Sequence, residues 1–311
     1  MAGASARWKT GMREVAEQVF AYVQATGETG ISNAGLIVGA EGATAVDALM
    51  VPSMTRRLVA AIRKTTRKKL GALVNTHHHL DHTGGNRAFR GATIIATEKC
   101  RAALASGFPP VPILQQFMPA FAREFPLLTP QLPTVTFDRA LVLHDGDREI
   151  HLWHPGTLAH TAGDATVFLP KERVLFTGDL AFHSVTPLAF QGHVGRWIEA
   201  ADRVLAVEAD VIVPGHGPIG TQADVRLMRD YLALVHRESR RRFEAGMSAE
   251  AAARDIKLGV YASWREPERI LPNVMRCYQE FRDETDRDLD IPAMLAGMQA
   301  LRGRRRGHAC L

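Results

Sequence analysis

Cysteine is scarce in this chain of 311 residues, which contains only Cys100, Cys277 and Cys310. Three widely separated cysteines form neither a disulfide framework nor a CxxC zinc site, so we expect reduced thiols. No apolar run approaches the roughly 18 residues that a membrane span requires, and the N-terminus has no apolar signal segment. These absences predict a cytoplasmic protein without a membrane segment.

A strong charge imbalance is also lacking. The formal net charge is +5, and the tail of residues 302–311 carries four arginines, Arg302, Arg304, Arg305 and Arg306, so the remainder is near +1 (5 − 4). A nearly neutral body offers no basic groove to a nucleic-acid backbone, and the tail is expected to be a solvated terminus. With no GxGxxG or P-loop motif either, we expect a small-molecule partner, and a homo-oligomer is compatible with the sequence.

Short β-branched runs separated by turn signals dominate residues 15–180. The candidate strands are residues 19–23, 34–38, 43–47, 72–75, 92–96, 141–144, 149–154, 164–169, 174–176 and 210–214. Helical patterns cover residues 53–64, with Ser53 as the expected cap, and residues 97–106, 196–207, 224–245, 249–256 and 267–282. This order predicts a layered α/β (α+β) arrangement in which helices cover a mixed sheet.

Residues 107–133 are rich in proline, phenylalanine and aliphatic side chains. A loop this apolar is not expected to lie open in water. Two interpretations remain open, a lid or wall of a substrate pocket and an insertion packed on the body of the protein. Phe117 and Phe121 in this segment, with Phe182 and His183 further along the chain, are the candidate pocket residues.

The segment NTHHHLDHTGGN places four histidines and one aspartate within six consecutive positions. His77 and His79 alternate at the end of a strand-like run and so project to the same side, whereas Asp81 and His82 lie on the following turn. His78, between the first two, is expected to point the opposite way. Because imidazole and carboxylate groups are ligands for zinc, this cluster predicts a metal site.

Three later segments each place a ligand-type residue beside glycine: AHTAGD carries His160, FTGDL carries Asp179 and PGHGP carries His216. Together with the HxHxDH pattern, these segments resemble the metallo-β-lactamase-fold hydrolase superfamily over about residues 15–220. We therefore interpret residues 1–220 as a catalytic domain and residues 221–311 as a helical C-terminal extension packed on it.

This resemblance implies a four-layered αββα sandwich with the site at one edge of the paired sheets. It also implies a binuclear site, with three ligands for one metal, three for the other and a bridging carboxylate: His77, His79 and His160; Asp81, His82 and His216; and Asp179. Two zinc ions per chain are expected, with iron or manganese as alternatives.

Two dications about 3.5–4 Å apart lower the pKa of a shared water toward neutrality and provide a hydroxide nucleophile. Asp81 retains a free oxygen and is the expected catalytic proton shuttle for the leaving group. Ligating imidazoles usually donate their other N–H to an oxygen, and Asp164, Asp47 and Asn75 are the candidates, with Asp164 favoured for His160.

The aspartate at position 179 narrows the range of substrate classes. The resemblance implies that antibiotic-cleaving β-lactamases lack an aspartate there, whereas thioester and lactone hydrolases have one. A tyrosine close behind it, expected in acyl-homoserine lactonases, is missing. We expect a zinc-dependent hydrolase, a lactonase or thioesterase, acting on an ester-type bond of a molecule with a hydrophobic body. A mononuclear iron sulfur (persulfide) dioxygenase and β-lactam hydrolysis are the alternatives.

Overall fold

The computed structural model describes residues 8–308, which form two stacked sheets with helices on their outer faces. The first sheet contains β1 (Gly11–Ala16), β2 (Val19–Val23), β3 (Ala34–Val38), β4 (Ala43–Val46), β5 (Leu70–Val74), β6 (Thr93–Thr97) and β7 (Val135–Phe137), in that spatial order. The second contains β8 (Ala140–Asp145), β9 (Arg148–Trp153), β10 (Thr166–Leu169), β11 (Val174–Phe182) and β12 (Val211–His216).

The α-helices of this region are α1 (Pro52–Thr65), α2 (Leu80–Thr83), α3 (Glu98–Ala105), α4 (Val111–Phe117), α5 (Val194–Leu205), α6 (Gln222–Glu244), α7 (Ala249–Asp255), α8 (Ile270–Phe281) and α9 (Ile291–His308). None of the helices between residues 8 and 308 combines the length and the apolar character needed to cross a bilayer.

Both sheets are mixed. In the first, β1 to β4 are antiparallel neighbours and β4 to β7 are parallel. In the second, β11 and β12 are parallel and the other pairs are antiparallel. A dozen or more residues usually join parallel strands, and here α1 and α5 supply two of those connections.

Adjacent residues of one strand face opposite layers, as the pleat of a strand requires. Leu73 of β5 packs in a cluster with Leu58 of α1, whereas its neighbour Val74 packs in a cluster with Phe176 of the second sheet. Trp197 of α5 belongs to the same cluster, which therefore extends from the first sheet to the helices that cover the second sheet. The predicted four-layered αββα sandwich is therefore confirmed.

The C-terminal helices share the core of the second sheet. Leu232 of α6 and Val274 of α8 are fully buried in the cluster that contains Phe176 of β11. Arg302, the first residue of the tail that was expected to be solvated, lies in α9, which continues to His308, and its half-exposed side chain forms an ion pair with Glu268. Residues 309–311 of the tail lie outside the described residues.

Helix α1 begins differently from the sequence prediction. Its N-cap is Val51, with Pro52 in the first turn, and Ser53 does not cap it. Instead, the Glu124 carboxylate accepts bonds from the Ser53 amide at 2.7 Å and from the Ser53 hydroxyl at 2.6 Å. A carboxylate is favourable at a helix N-terminus, so this contact fixes the apolar 107–133 segment to the first sheet layer.

Candidate metal centre

The predicted ligands all lie at one edge of the paired sheets. His77 and His79 follow β5, Asp81 and His82 lie on α2, and the others come from the second sheet or its loops: His160 between β9 and β10, Asp179 in β11, and His216 at the end of β12. Their ligand atoms fall into two compact groups, and within each group these atoms are within 4.8 Å of one another.

The first group contains His77, His79, His160 and Asp179. His160 Nε2 lies 2.9 Å from His79 Nδ1 and 3.2 Å from Asp179 Oδ2. His77 Nε2 lies 3.8 Å from the same Asp179 oxygen. Three imidazole nitrogens therefore converge beside one carboxylate.

The second group contains Asp81, His82 and His216. His216 Nε2 lies 3.2 Å from Asp81 Oδ2 and 3.5 Å from Asp179 Oδ2, while His82 Nε2 lies 3.1 Å from Asp179 Oδ1. The Asp179 carboxylate thus lies between the two groups.

The donor set fits divalent metal ions. Among residues 8–308, His77 Nε2 is a buried atom without a hydrogen-bond partner, and His82 Nε2 and Asp179 Oδ1, although 3.1 Å apart, form no hydrogen bond with acceptable angles. Burying such atoms unpaired is costly, and a cation coordinated at the centre of each group would satisfy them. The residues of the cluster therefore match the chemistry of a two-metal site.

The electrostatics differ between the groups. Burial and the neighbouring His82 hold the pKa of His77 well below its usual range, and burial and His160 do the same to His79. Although burial opposes it, Asp179 raises the pKa of His82 well above its usual value and that of His216 to about 9. His77 and His79 are therefore neutral near pH 7 and ready to bind a metal, whereas a metal ion must displace protons from His82 and His216.

Asp47 directly supports a ligand. Its Oδ2 lies 2.8 Å from His82 Nδ1 and also accepts a bond from the Thr76 hydroxyl, and its Oδ1 accepts one from the Thr76 amide. Asp47 has a left-handed backbone, with φ of 59°, which aspartate tolerates better than most residues. The Thr76 hydroxyl in turn lies 3.1 Å from His77 Nδ1.

Besides Thr76, two further supports were not predicted from the sequence. The Gln191 Oε1 accepts a bond from His79 Nε2 at 2.8 Å, and the carbonyl of Gly27 accepts one from His216 Nδ1 at 3.0 Å. A backbone carbonyl leaves no sequence signal, and Gln191 is 112 positions from its partner.

The other two predicted supports contact something else. Asp164 accepts bonds from the Thr161 amide and hydroxyl, at 2.8 and 2.6 Å, and His160 Nδ1 has no partner among the described residues. Burial raises the pKa of Asp164 to about 6. Asn75 pairs with Asn86 through two amide bonds instead of reaching an imidazole. Both residues therefore shape the loops that carry ligands.

A cavity of about 520 Å³ opens above the cluster, and His79, Asp81, His160, Asp179 and His216 contribute to its floor. Its walls are mostly apolar and come from three separate segments: Phe108, Ile113 and Phe117; Leu188 and Phe190; and Leu289, Ile291 and Met294. The first part of the 107–133 segment, the loop that carries Leu188 and Phe190, and the start of α9 thus enclose a space large enough for a small-molecule substrate.

The candidate pocket residues divide evenly. Phe117 and Phe182 line the cavity, as predicted, whereas Phe121 packs against the α1 side of the first sheet. His183 does not line the cavity either, because it is buried and its Nδ1 donates a hydrogen bond to the Pro218 carbonyl at 3.1 Å. His78, expected to point away, lines the cavity instead, and burial and His160 lower its pKa to about 4.

Two stacked mixed sheets with helices outside and a histidine and aspartate cluster at one edge define an αββα metal-binding protein. A family model described as the metallo-beta-lactamase superfamily matches residues 27–216. The chain therefore belongs to this superfamily, and the matched range ends at His216, the last of the candidate ligands.

Among curated relatives, the chain is 23% identical over 269 residues to a linear primary-alkylsulfatase of a Pseudomonas species, covering 72% of this chain and 49% of the relative. It is 29% identical over 184 residues to the 2,4-dinitroanisole O-demethylase subunit alpha of a Nocardioides species, covering 58% and 51%. The chain thus spans about half the length of these relatives.

Among solved structures, a stereoselective inverting sec-alkylsulfatase from a Pseudomonas species matches with a TM-score of 0.69 and 18% identity. The match covers 88% of this chain and 50% of that one. It shows that the fold includes part of the C-terminal helical region as well as the residues of the family model.

Proposed function

We propose that the protein is a binuclear, zinc-dependent hydrolase that cleaves an ester-type bond, in a lactone, a thioester or an ester, of a small molecule with a hydrophobic body. The observation that carries this proposal is the position of Asp179 between two groups of buried ligand atoms at the floor of an apolar cavity. Zinc suits this nitrogen and oxygen donor set, and iron and manganese are the alternatives.

When bound, a pair of divalent ions lowers the pKa of a water molecule and draws electron density from a substrate oxygen. The residues of the chain orient these ions and shape the space above them. Asp81 has a side chain that is 16% exposed and faces the cavity, with Oδ2 3.2 Å from His216 Nε2. We assign to it the transfer of a proton to the leaving group.

The cavity walls favour the choice of a hydrophobic substrate. Phe117, Phe190 and Met294 face the same space from three segments. An alkyl or aryl group bound there is removed from contact with water, which favours binding. A sulfate ester is the second candidate for the bond, because a linear primary-alkylsulfatase is among the relatives and an alkyl chain suits these walls.

Metal analysis separates hydrolysis from the dioxygenase alternative. In protein purified without added zinc we expect about two zinc ions per chain, as a two-metal site requires. One iron per chain together with oxygen uptake on a persulfide would contradict the proposal. The Asp179→Asn variant, which alters the carboxylate shared by both groups, is the control for adventitious metal.

A substrate panel then ranks the bonds. p-Nitrophenyl esters of increasing chain length should show kcat/KM rising by up to about fourfold per added CH₂, as burial of about 0.8 kcal/mol each predicts. Thioesters, lactones, dodecyl sulfate and the β-lactam nitrocefin are measured beside them. Turnover of nitrocefin alone would show that Asp179 does not discriminate against β-lactams.

A further inference from the structure

The loop of residues 187–192 holds the ring of His79 on two sides. The Phe190 ring stacks on it with centroids 4.9 Å apart and an angle of 22° between the planes. The Gln191 Oε1 lies 2.8 Å from His79 Nε2. Because this oxygen only accepts, His79 donates through Nε2, and its Nδ1 is left with a free lone pair toward His160 and the cluster.

This loop has no regular secondary structure of its own to hold it. Helix α8 of the C-terminal extension supplies the missing hydrogen bonds. Asn273 donates to the Pro187 carbonyl at 3.0 Å and accepts from the Ala189 amide at 2.8 Å, and Arg276 Nε donates to the Gly192 carbonyl at 2.7 Å.

Both supporting side chains are buried: Asn273 is completely buried and Arg276 is 3% exposed. If the loop moved away, Asn273 Oδ1 and Arg276 Nε would lose their hydrogen-bond partners in the protein interior, which is costly. The network therefore restricts the loop to one position, in which Gln191 and Phe190 meet His79.

We propose that Gln191 is a positioning residue for the metal ligand His79, and that Asn273 and Arg276 of α8 hold it there. The C-terminal extension thereby sets the affinity of the first group for its metal, although it contains none of the seven ligands. This inference rests on the proposed metal site and is independent of the bond that the enzyme cleaves.

The direct test compares Gln191→Leu with Gln191→Glu. Both proteins are stripped with a chelator and titrated with Zn²⁺ by calorimetry, and with Co²⁺ by visible absorption. Gln191→Leu removes the acceptor, so one of the two binding steps should weaken by about 10–100-fold and the Co²⁺ spectrum of that site should change. Gln191→Glu keeps an acceptor and should restore both to within a few-fold of wild type.

Unchanged affinities and spectra in Gln191→Leu would overturn the role of Gln191. A loss of affinity that Gln191→Glu fails to rescue would also count against it, because the acceptor would then not be the cause. Gln191 is only partly buried in an irregular loop, so neither substitution is expected to prevent folding.

The remote part of the network is tested with Asn273→Ala. Its matched control is Val235→Ala, which removes a fully buried side chain from α6 and leaves the hydrogen bonds to the loop in place. Both should lower Tm, but only Asn273→Ala should weaken one metal-binding step, by about tenfold. Equal metal affinities in the two variants would show that α8 does not act on the metal site.

These outcomes are separable from those for the proposed function. If the wild type binds two metals and Gln191→Leu loses one, but no ester-type substrate is cleaved, the positioning role stands and the hydrolase proposal fails. If esters are cleaved and Gln191→Leu binds both metals with wild-type affinity, the hydrolase proposal stands and the positioning role of Gln191 fails.

Discussion

The two groups of metal-ligating side chains are supported by different parts of the chain. In the second group, His82 is held by Asp47, which follows β4 of the first sheet. In the first group, His79 is held by Gln191, and the loop of Gln191 is held by α8, beyond the range of the family match. One group is supported by a strand end of the sandwich and the other by a helix packed against it.

This difference means that the two metal affinities respond to different parts of the fold. A local change near β4 should affect the second group, whereas a change in the docking of the C-terminal helices should affect the first. Asp179 lies between the groups and contacts His82 of one and His160 of the other, so a change at this residue should affect both.

Asp179→Asn should therefore have the largest effect on metal binding and hydrolysis, and it should weaken both groups instead of one. Loss of the shared charge weakens both groups at once, so we expect fewer than two metals per chain. Hydrolysis should fall by more than about 100-fold, because the loss of a ligand exceeds the effect of losing an outer partner. Metal content measured after dialysis against zinc checks this, and retention of both metals with full turnover would contradict it.

Asp47→Ala should affect the second group most, because Asp47 reaches the first group only through Thr76, whose hydroxyl lies 3.1 Å from His77 Nδ1. The substitution removes the acceptor of His82 Nδ1, and we expect the metal affinity of this group to fall by about 10–100-fold. It also leaves the Thr76 amide unpaired, which should lower the free energy of unfolding by about 1–3 kcal/mol. Calorimetric zinc titration and urea unfolding measure the two effects.

Asp47→Asn is the control for that variant. Asparagine tolerates the left-handed backbone at this position and keeps one acceptor oxygen, so the fold should be retained better than with alanine. If both variants bind two metals as tightly as wild type, the support of the second group does not depend on Asp47.

Gly192→Ala tests whether the position of the 187–192 loop matters. The backbone has φ of 73°, and an added Cβ would lie 2.0 Å from the Ala159 carbonyl oxygen. We expect an additional loss of about 1–3 kcal/mol in unfolding free energy relative to Gly91→Ala, whose φ of 90° is similar but whose Cβ meets nothing within 4 Å. Equal losses in the two variants would show that the loop can shift freely.

The smallest effect on the metal groups concerns Glu280 of α8, whose carboxylate accepts bonds from the first amides of α5 and so bears on the docking of α8. Although burial opposes it, hydrogen bonds from His193 and His236 lower the pKa of Glu280 to about 2. The ordinary value is about 4.3, so the stabilisation of about 3 kcal/mol is complete above that pH and is lost as pH falls through 2.

Glu280→Gln should remove this pH dependence. Between pH 6 and pH 3, the unfolding free energy of the wild type should fall relative to that of the variant, as urea titrations at both values would measure. Parallel changes in the two proteins would mean that Glu280 is not the acid-sensitive contact between α8 and α5.

Local patterns predicted much of the scaffold. The apolar runs at residues 19–23 and 34–38 coincide with β2 and β3, because a short apolar run bounded by turn signals is typical of a strand buried on both faces. β1, with an exposed centre, and α4, which begins between prolines, lacked such a pattern and were not predicted.

Contacts between distant segments were predicted less well. The support of His82 by Asp47 was among the sequence candidates, but Gln191 was not, since a glutamine in a loop has no periodic signal. His183 was predicted to line the pocket from its position after Asp179, yet Gly217 and Gly220 let the chain close over it.

By itself, the sequence indicated the layered fold, and its four short motifs, through their resemblance to one superfamily, identified the family and the seven candidate ligands, because each motif lies within one strand end or turn. Only the tertiary structure decided which side chains hold those ligands and which apolar residues enclose the space above them. The cavity is built from segments that begin near residues 107, 188 and 289, and such a meeting depends on how the layers pack.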